Sequence, residues 1–281
     1  MSGTLYVVAT PIGNLEDITL RALRTLREVD VIAAEDTRRT ARLLNHHAIS
    51  TRTLSFHAHN VHTRVPQLVG RLRAGANVAI VTDAGTPGVS DPGLELVQAA
   101  ISNGISVDPV PGASAPLTAL VASGFPLLPF TMFGFPPNRL KTRNAWLEQV
   151  CATAHAFSFF EAPHRIRITL CKALPYLGER HIVLAREVTK VHQEFIRGVA
   201  RDVLQRLTDP RGEFTVIVGP SVNAHEAKHL STSDDDVVRE FCRLTESGRT
   251  SRREAIRQVA QVSGRSSRDV YSVIEQTKKL V

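Results

Sequence analysis

Short apolar runs alternate with amphipathic stretches along the first 122 residues. The runs at 5–9, 31–34, 53–56, 78–81 and 105–110 are rich in Val, Ile and Leu and read as strands. Between them, residues 18–29 carry Ile18, Leu20, Ala22, Leu23, Leu26 and Val29 at helical spacing, behind Asp17 as a cap. Residues 40–45, 61–73, 94–101 and 115–122 continue the helical pattern. Five strands alternating with helices predict a mainly parallel sheet covered on both faces. The Gly/Pro loops at 10–14, 82–93 and 111–114 then gather at one edge of that sheet.

The pattern breaks at residues 124–129, where Pro126 and Pro129 mark a boundary. A second alternation follows, with strands at 130–135, 156–160, 181–185, 193–196 and 214–218 and helices at 145–152, 166–176 and 199–207. Its denser strands predict a mixed sheet, and the basic loop 136–143 reads as a lid or linker. Residues 220–236 are polar and read as a second linker. Three short helical patterns close the chain: 237–244, a segment opened by the capping box Ser251-Arg-Arg-Glu254, and a third capped by Ser267. Helix, Gly-containing turn, helix on a basic background predicts a helix-turn-helix-like module. The expected architecture is therefore α/β, with two α/β sandwich domains (1–124 and 125–222), a ligand cleft between them, and a linker with a basic helical tail (223–281).

Charge sharpens the tail. The chain carries +7 overall, and residues 247–281 hold eight Lys/Arg against three Asp/Glu. Such a segment suits a polyanionic partner, although a solubilising tail would look the same. The placement of Arg249, Arg252, Arg253, Arg257, Arg265 and Arg268 around the turn favours nucleic acid. Cys151, Cys171 and Cys242 have no metal-like spacing, and their low, odd count fits a reducing cytoplasm. No apolar run reaches 18 residues and no leader pattern opens the chain, so neither a spanning helix nor a signal peptide is expected. The eleven His pair only as His46-His47 and His57-x-His59, and no metal is expected.

The candidate chemistry centres on residues 82–93, Thr-Asp-Ala-Gly-Thr-Pro-Gly-Val-Ser-Asp-Pro-Gly, lying between a strand and a helix. Gly permits close backbone approach to a ligand and Pro stiffens the loop. In open α/β sheets, ligands bind at such strand ends. A long turn closed by Asp91 as N-cap and Pro92 at the first helical position is the plainer alternative. Gly-x-Gly-x-x-Gly is absent, so no dinucleotide fingerprint is present.

Eight motifs in order resemble one family: Thr10-Pro-Ile-Gly-Asn14, Glu35-Asp-Thr-Arg38, Thr82-Asp-Ala-Gly-Thr-Pro87 with Asp91-Pro-Gly93, Pro111-Gly-Ala-Ser114, Gly134-Phe-Pro-Pro137, Phe160-Glu-Ala-Pro-His-Arg165, Ala185-Arg-Glu-Val-Thr-Lys190 and Gly212-Glu213. Together they are similar to the ribosomal RNA small-subunit methyltransferase I family of the tetrapyrrole-methylase superfamily. The likeness covers residues 4–220, with departures at Pro136 and Ala162-Pro163. It implies S-adenosylmethionine in the cleft, a homodimer, and 2′-O-methylation of a cytidine in the decoding region of 16S rRNA within the 30S subunit. Carried over by motif, Gly85, Thr86, Pro87, Val89, Ser90, Ser114 and Ala115 would line the cofactor, joined by Phe160, Ala162, Ala185 and Gly212. Asp83 is read instead as holding its loop.

A ribose hydroxyl needs a general base or a cation to stabilise its alkoxide. Candidates are Lys190, Glu187 and Glu161, with Asp36 and His164 behind them; for any single carboxylate a loop-holding ion pair is the preferred reading, and Lys190 is the favoured functional cation. RNA phosphates would meet Arg38, Arg39, Arg139, Lys141, Arg143, Arg165 and the tail arginines. The rival readings are a tetrapyrrole methyltransferase and a non-catalytic RNA-binding or assembly factor.

Overall fold

The structure, a computed structural model, describes residues 2–208, 210–221, 234–246, 251–263 and 265–278. Arg249, Gly248, Gly264 and most of the 220–236 linker fall outside the described residues.

The first sheet takes β1 (Thr4–Val8), β2 (Val31–Ala34), β3 (Thr53–Ser55), β4 (Val78–Val81) and β5 (Ser106–Val110) in the order β3-β2-β4-β1-β5. Every pairing is parallel, with Leu5 opposite Val78, Val8 opposite Val110 and Ala34 opposite Val81. The connecting helices are α1 (Leu20–Glu28), α2 (Thr37–His46), α3 (Val61–Arg73), α4 (Leu94–Ser102) and α5 (Ala115–Val121). All residues of β2 and β4 are buried, which is why those strands read as unbroken apolar runs. Parallel strands put the loops after β1, β2, β4 and β5 at one edge.

Two expected caps fail in this domain, and a third helix gains a cap that was not expected. Asp17 does not cap α1. It ends a short 3-10 turn (Leu15–Asp17) capped by Asn14, and the Thr19 hydroxyl accepts from Ala22 N at 3.1 Å to cap α1 itself. The Asp91–Pro92 pair does not open α4, because the loop runs on to Gly93 at φ +146°. A Cβ there would lie 3.2 Å from Gly88 N and 3.3 Å from Pro87 Cβ, so the loop folds back tightly on itself. Helix α2 starts three residues early because the Asp36 carboxylate accepts from Arg38 N at 2.8 Å and caps it.

The second sheet is mixed, ordered β6-β7-β10-β8-β9 from β6 (Phe130–Met132), β7 (Ala156–Glu161), β8 (His181–Arg186), β9 (Glu194–Val199) and β10 (Phe214–Val218). Only β6 and β7 run parallel. Helices α6 (Leu140–Cys151), α7 (Pro163–Leu177) and α8 (Ala200–Arg206) cover it. Strand β9 runs past the expected 193–196 because Arg197, Gly198 and Val199 pair with β8 despite a weak strand pattern. The expected lid at 136–143 is a loop only to Arg139, and α6 begins at Leu140.

The tail forms α9 (Asp234–Glu246), α10 (Arg252–Ser263) and α11 (Ser267–Lys278) around Val237, Phe241, Val259, Val270 and Ile274. Ser251 caps α10, as expected. Ser266 rather than Ser267 caps α11, its hydroxyl accepting from Asp269 N at 3.1 Å. No described helix is long and apolar enough to cross a membrane.

Candidate active site

A cleft of about 460 Å³ opens where the strand-end loops of the first sheet face the second. Ile12, Glu35, Arg39 and residues 83–86 and 89–91 line one side with Ser114 and Ala115; Phe135, Phe160, Ala162, Val188 and Glu213 line the other.

The 82–93 loop is fixed by bonds to its neighbours. Thr10 and Gly85 exchange both backbone hydrogen bonds, at 2.9 and 3.1 Å, and the Thr10 hydroxyl donates to Thr82 O at 3.0 Å. Gly85 sits at φ +80°, a conformation that favours glycine. Asp83 does hold the loop, but across to the β2–α2 turn: its Oδ1 accepts from Asp36 N at 3.1 Å, its Oδ2 lies 3.4 Å from Arg39, and its own amide donates to Glu35 at 3.3 Å. Glu35, Asp83 and Asp91 thus form an acidic wall. Burial, then the charges of Glu35 and Asp83, push the Asp91 carboxyl up to about 6. Burial also raises Glu35, with the Asp83 charge adding to it.

Of the residues expected around the cofactor, Gly85, Thr86, Val89, Ser90, Ser114, Ala115, Phe160 and Ala162 line the cleft. Three do not. Pro87 is buried beneath Gly93, Ala185 is fully buried in the apolar cluster with Val183 and Ile217, and Gly212 lines an adjoining cavity with Glu187. Sequence reasoning missed Ile12, Glu35, Asp91, Phe135, Val188, Glu213 and Thr215 as lining residues. Glu35 was the most findable, as a carboxylate directly after a buried strand.

The candidate catalytic groups separate by their partners. Glu161 is fully buried, its Oε1 accepting from Ala162 N (2.8 Å) and Arg165 Nε (2.7 Å) and its Oε2 from the Thr169 hydroxyl (2.5 Å). Those bonds anchor the start of α7 and leave no base. Asp36 is a helix cap, held down to about 2 by its hydrogen bonds with Arg38. His164 is exposed on α7. The Lys190 ammonium lies 2.9 Å from both Glu187 Oε1 and Glu213 Oε2. Burial alone would lower the Lys190 pKa, but the two carboxylates outweigh it and raise it. Burial likewise opposes ionisation of Glu187, yet the Glu213 amide and Lys190 hold its carboxyl below its usual range. Lys190 is therefore a fixed cation; it lies outside the cleft lining, in a separate surface recess with Gly13 and Thr189, and is linked to the cleft through Glu213.

Two proposed phosphate contacts are structural instead. Arg143 is buried and donates to Pro137 O (3.0 Å) and Asn138 O (2.8 Å), closing the loop before α6. Arg165 pairs with Glu161 at 2.6 Å and donates to Pro136 O and Asn138 Oδ1. Arg39 is a cleft residue through Asp83, and the exposed Arg38 pairs with Asp36. Arg139 and Lys141 are exposed. In the tail, Arg252 pairs with Glu275, Arg257 with Glu254 and Arg265 with Asp234, while Arg253 and Arg268 are exposed.

A sequence model of the Tetrapyrrole (Corrin/Porphyrin) Methylases matches residues 4–204, which sets the class: an α/β methyltransferase of that superfamily. The methyltransferase CobJ superposes with a TM-score of 0.60 at 22% identity, over 78% of this chain and 95% of its own. The uroporphyrin-III C-methyltransferase from Thermus thermophilus, complexed with S-adenosyl homocysteine, gives 0.55 at 19% identity over 77% and 97%. The "Ribosomal RNA small subunit methyltransferase I" of Halalkalibacterium halodurans is 46% identical over 98% of this chain and 95% of its own length. That of Synechocystis sp. is 42% identical over 96% and 97%. The chain belongs to the ribosomal RNA small subunit methyltransferase I family.

Proposed function

We propose that this methyltransferase of ribosomal RNA transfers the methyl of S-adenosylmethionine, bound in the cleft, to the ribose 2′-hydroxyl of a cytidine in the decoding region of 16S rRNA. The acidic wall of Glu35, Asp83 and Asp91 is the observation that carries the cofactor assignment, because it matches a cationic ligand. Bound there, S-adenosylmethionine supplies an electrophilic methyl on a sulfonium. The small side chains of Ser114 and Ala115 leave room for it, and the loop pinned by Thr10 and Gly85 holds one wall still. Lys190, kept charged by Glu187 and Glu213, stabilises negative charge on the acceptor oxygen. Arg139, Lys141, Arg253 and Arg268 supply phosphate contacts, which position RNA without reading its sequence. The units 1–124, 125–222 and 223–281 are the working division into cofactor side, acceptor side and RNA-facing tail, acting in the cytoplasm. The test is methylation of small subunits lacking the modification, mapped by primer extension at low dNTP. One 2′-O-methylated cytidine in the decoding region is the expected product; a base-methylated or different nucleotide refutes the assignment.

Cofactor affinity should depend on pH through Asp91. A cation beside Asp91 favours its ionised form, so binding expels a proton wherever Asp91 is protonated. The S-adenosylmethionine Kd should be flat above pH 7 and rise below about 6, by at most about tenfold per pH unit for one proton. Asp91→Asn should bind more weakly at pH 7.5 and lose the acidic rise. Calorimetric titration from pH 5.5 to 8 checks this; parallel curves for the two proteins contradict it.

We also propose a homodimer, a reading supported by the apolar surface beside the cleft. Leu117 (57% exposed) and Val121 (70%) lie one turn apart on α5, and Leu128 (82%) follows in the connection to β6. Such a patch suits burial against a second copy. Sedimentation should show a dimer at micromolar concentration, and Val121→Asp with Leu128→Asp should give a monomer. A monomeric wild-type chain contradicts the proposal.

A further inference from the structure

The Thr10–Asn14 loop bridges the two halves of the site. At one end, Thr10 exchanges both backbone hydrogen bonds with Gly85 of the 82–93 loop. In its middle, Ile12 packs on the apolar cluster that contains Val188. At the other end, Gly13 meets the 187–190 turn. A Cβ on Gly13 would lie 2.5 Å from Lys190 Cγ, 2.8 Å from Thr189 Oγ1 and 3.1 Å from Val188 O. Side chains do not tolerate the first two distances. The turn it touches is itself unusual, with Glu187 at φ +48° and Thr189 at φ +71°. Two bonds close it: Lys190 N donates to Glu187 O at 3.0 Å and Thr189 N to Gln193 Oε1 at 2.7 Å. Backbone of this kind persists only where the surroundings over-determine it.

We propose that Gly13 is a positioning residue for methyl transfer: lacking a side chain, it seats the Lys190 stem against a loop tied to the cofactor side through Thr10 and Gly85, and so fixes the Lys190 ammonium relative to the donor methyl. This rests on the reading of Lys190 given above. A methyl group at position 13 forces the Lys190 stem and Thr189 to retreat, and misplacement by about 1 Å can cost on the order of 100-fold in rate. The ammonium then leaves the Glu187–Glu213 pair, whereas the Gly85 side of the cleft stays as it is.

The experiment is a double-mutant cycle on the full chain. At saturating S-adenosylmethionine, Gly13→Ala should slow single-turnover methyl transfer to small subunits about 10- to 100-fold, with the cofactor Kd within about threefold. Amide exchange at Thr189 and Lys190 should rise about tenfold or more as their turn loosens. In a Lys190→Ala background the Thr189 Oγ1 contact remains but there is no ammonium to misplace, so the same change should cost less than about twofold in rate. Gly70→Ala, where a Cβ meets nothing within 4 Å, is the control. Equal losses in both backgrounds, or an unchanged rate in Gly13→Ala, overturn the proposal and leave the Lys190 reading standing. A Lys190→Ala protein at wild-type rate overturns that reading and the proposal with it. Should Gly13→Ala fail to fold, a folded Gly13→Ala/Thr189→Ala/Lys190→Ala triple, which lacks both close atoms, supports the steric contact, and an unfolded triple overturns it.

Discussion

Arg180→Ala is expected to unfold the second sheet at a far lower urea concentration than the wild-type chain, with a loss on the order of 3–5 kcal/mol. Arg180 is 4% exposed and its guanidinium donates to Cys151 O (2.9 Å), Thr153 O (2.8 Å), His155 O (3.2 Å) and Gly219 O (2.9 Å). It also lies 5.2 Å from the Phe157 ring centroid. It thereby ties the end of α6, the start of β7 and the end of β10 to one planar cation. Alanine leaves four carbonyls without their donor, and each buried unsatisfied group costs about 1–3 kcal/mol, reduced where water can enter. Lysine recovers only part, because a point ammonium cannot span four acceptors. The chain's single Trp, Trp146, packs against Phe159 and Phe133 in the same layer, so its fluorescence reports this transition alone. Arg139→Ala, on the surface, should move the midpoint by less than about 0.5 kcal/mol. Equal midpoints for Arg180→Ala and the wild type contradict the carbonyl cage.

The second large effect is on ligand binding. Ala115→Trp should weaken S-adenosylmethionine binding by about 100-fold or more, since most of a ligand's affinity comes from surface buried in its pocket. Ala115 opens α5 directly behind Ser114 and lines a cleft of only about 460 Å³, so an indole there fills space the donor needs. The side chain points into the cleft rather than the core, so melting should change little. Calorimetry on both proteins checks the claim; an unchanged Kd places the donor elsewhere.

What was readable from the sequence follows from how far apart the deciding atoms lie along the chain. Strands buried on both faces, such as β2 and β4, announce themselves as continuous apolar runs, and a loop holding three Gly and two Pro is visible as something other than a simple turn. Caps were less legible because Asn14, Asp17 and Thr19 all compete within six residues, and only the folded geometry chooses Asn14 and Thr19. Arg143 and Arg165 looked like phosphate contacts since the sequence displays their charge but not the carbonyls of residues 136–138 that use it. Ala185 and Gly212 inherit a role from their motifs, yet one turns into the core and the other lies under the Glu187 carboxylate. The acidic wall was the largest omission. Glu35, Asp83 and Asp91 come from two separate loops, and nothing local reveals that they converge.

The most direct measurement is transfer of radiolabel from S-adenosylmethionine into small subunits lacking the modification, run side by side with the wild-type chain and Ala115→Trp. The wild type should label 16S rRNA, and the filled-cleft protein, equally folded, should not. Full labelling by Ala115→Trp, or none by a wild-type chain that still binds the donor, would contradict the cleft as the seat of ribosomal RNA methylation.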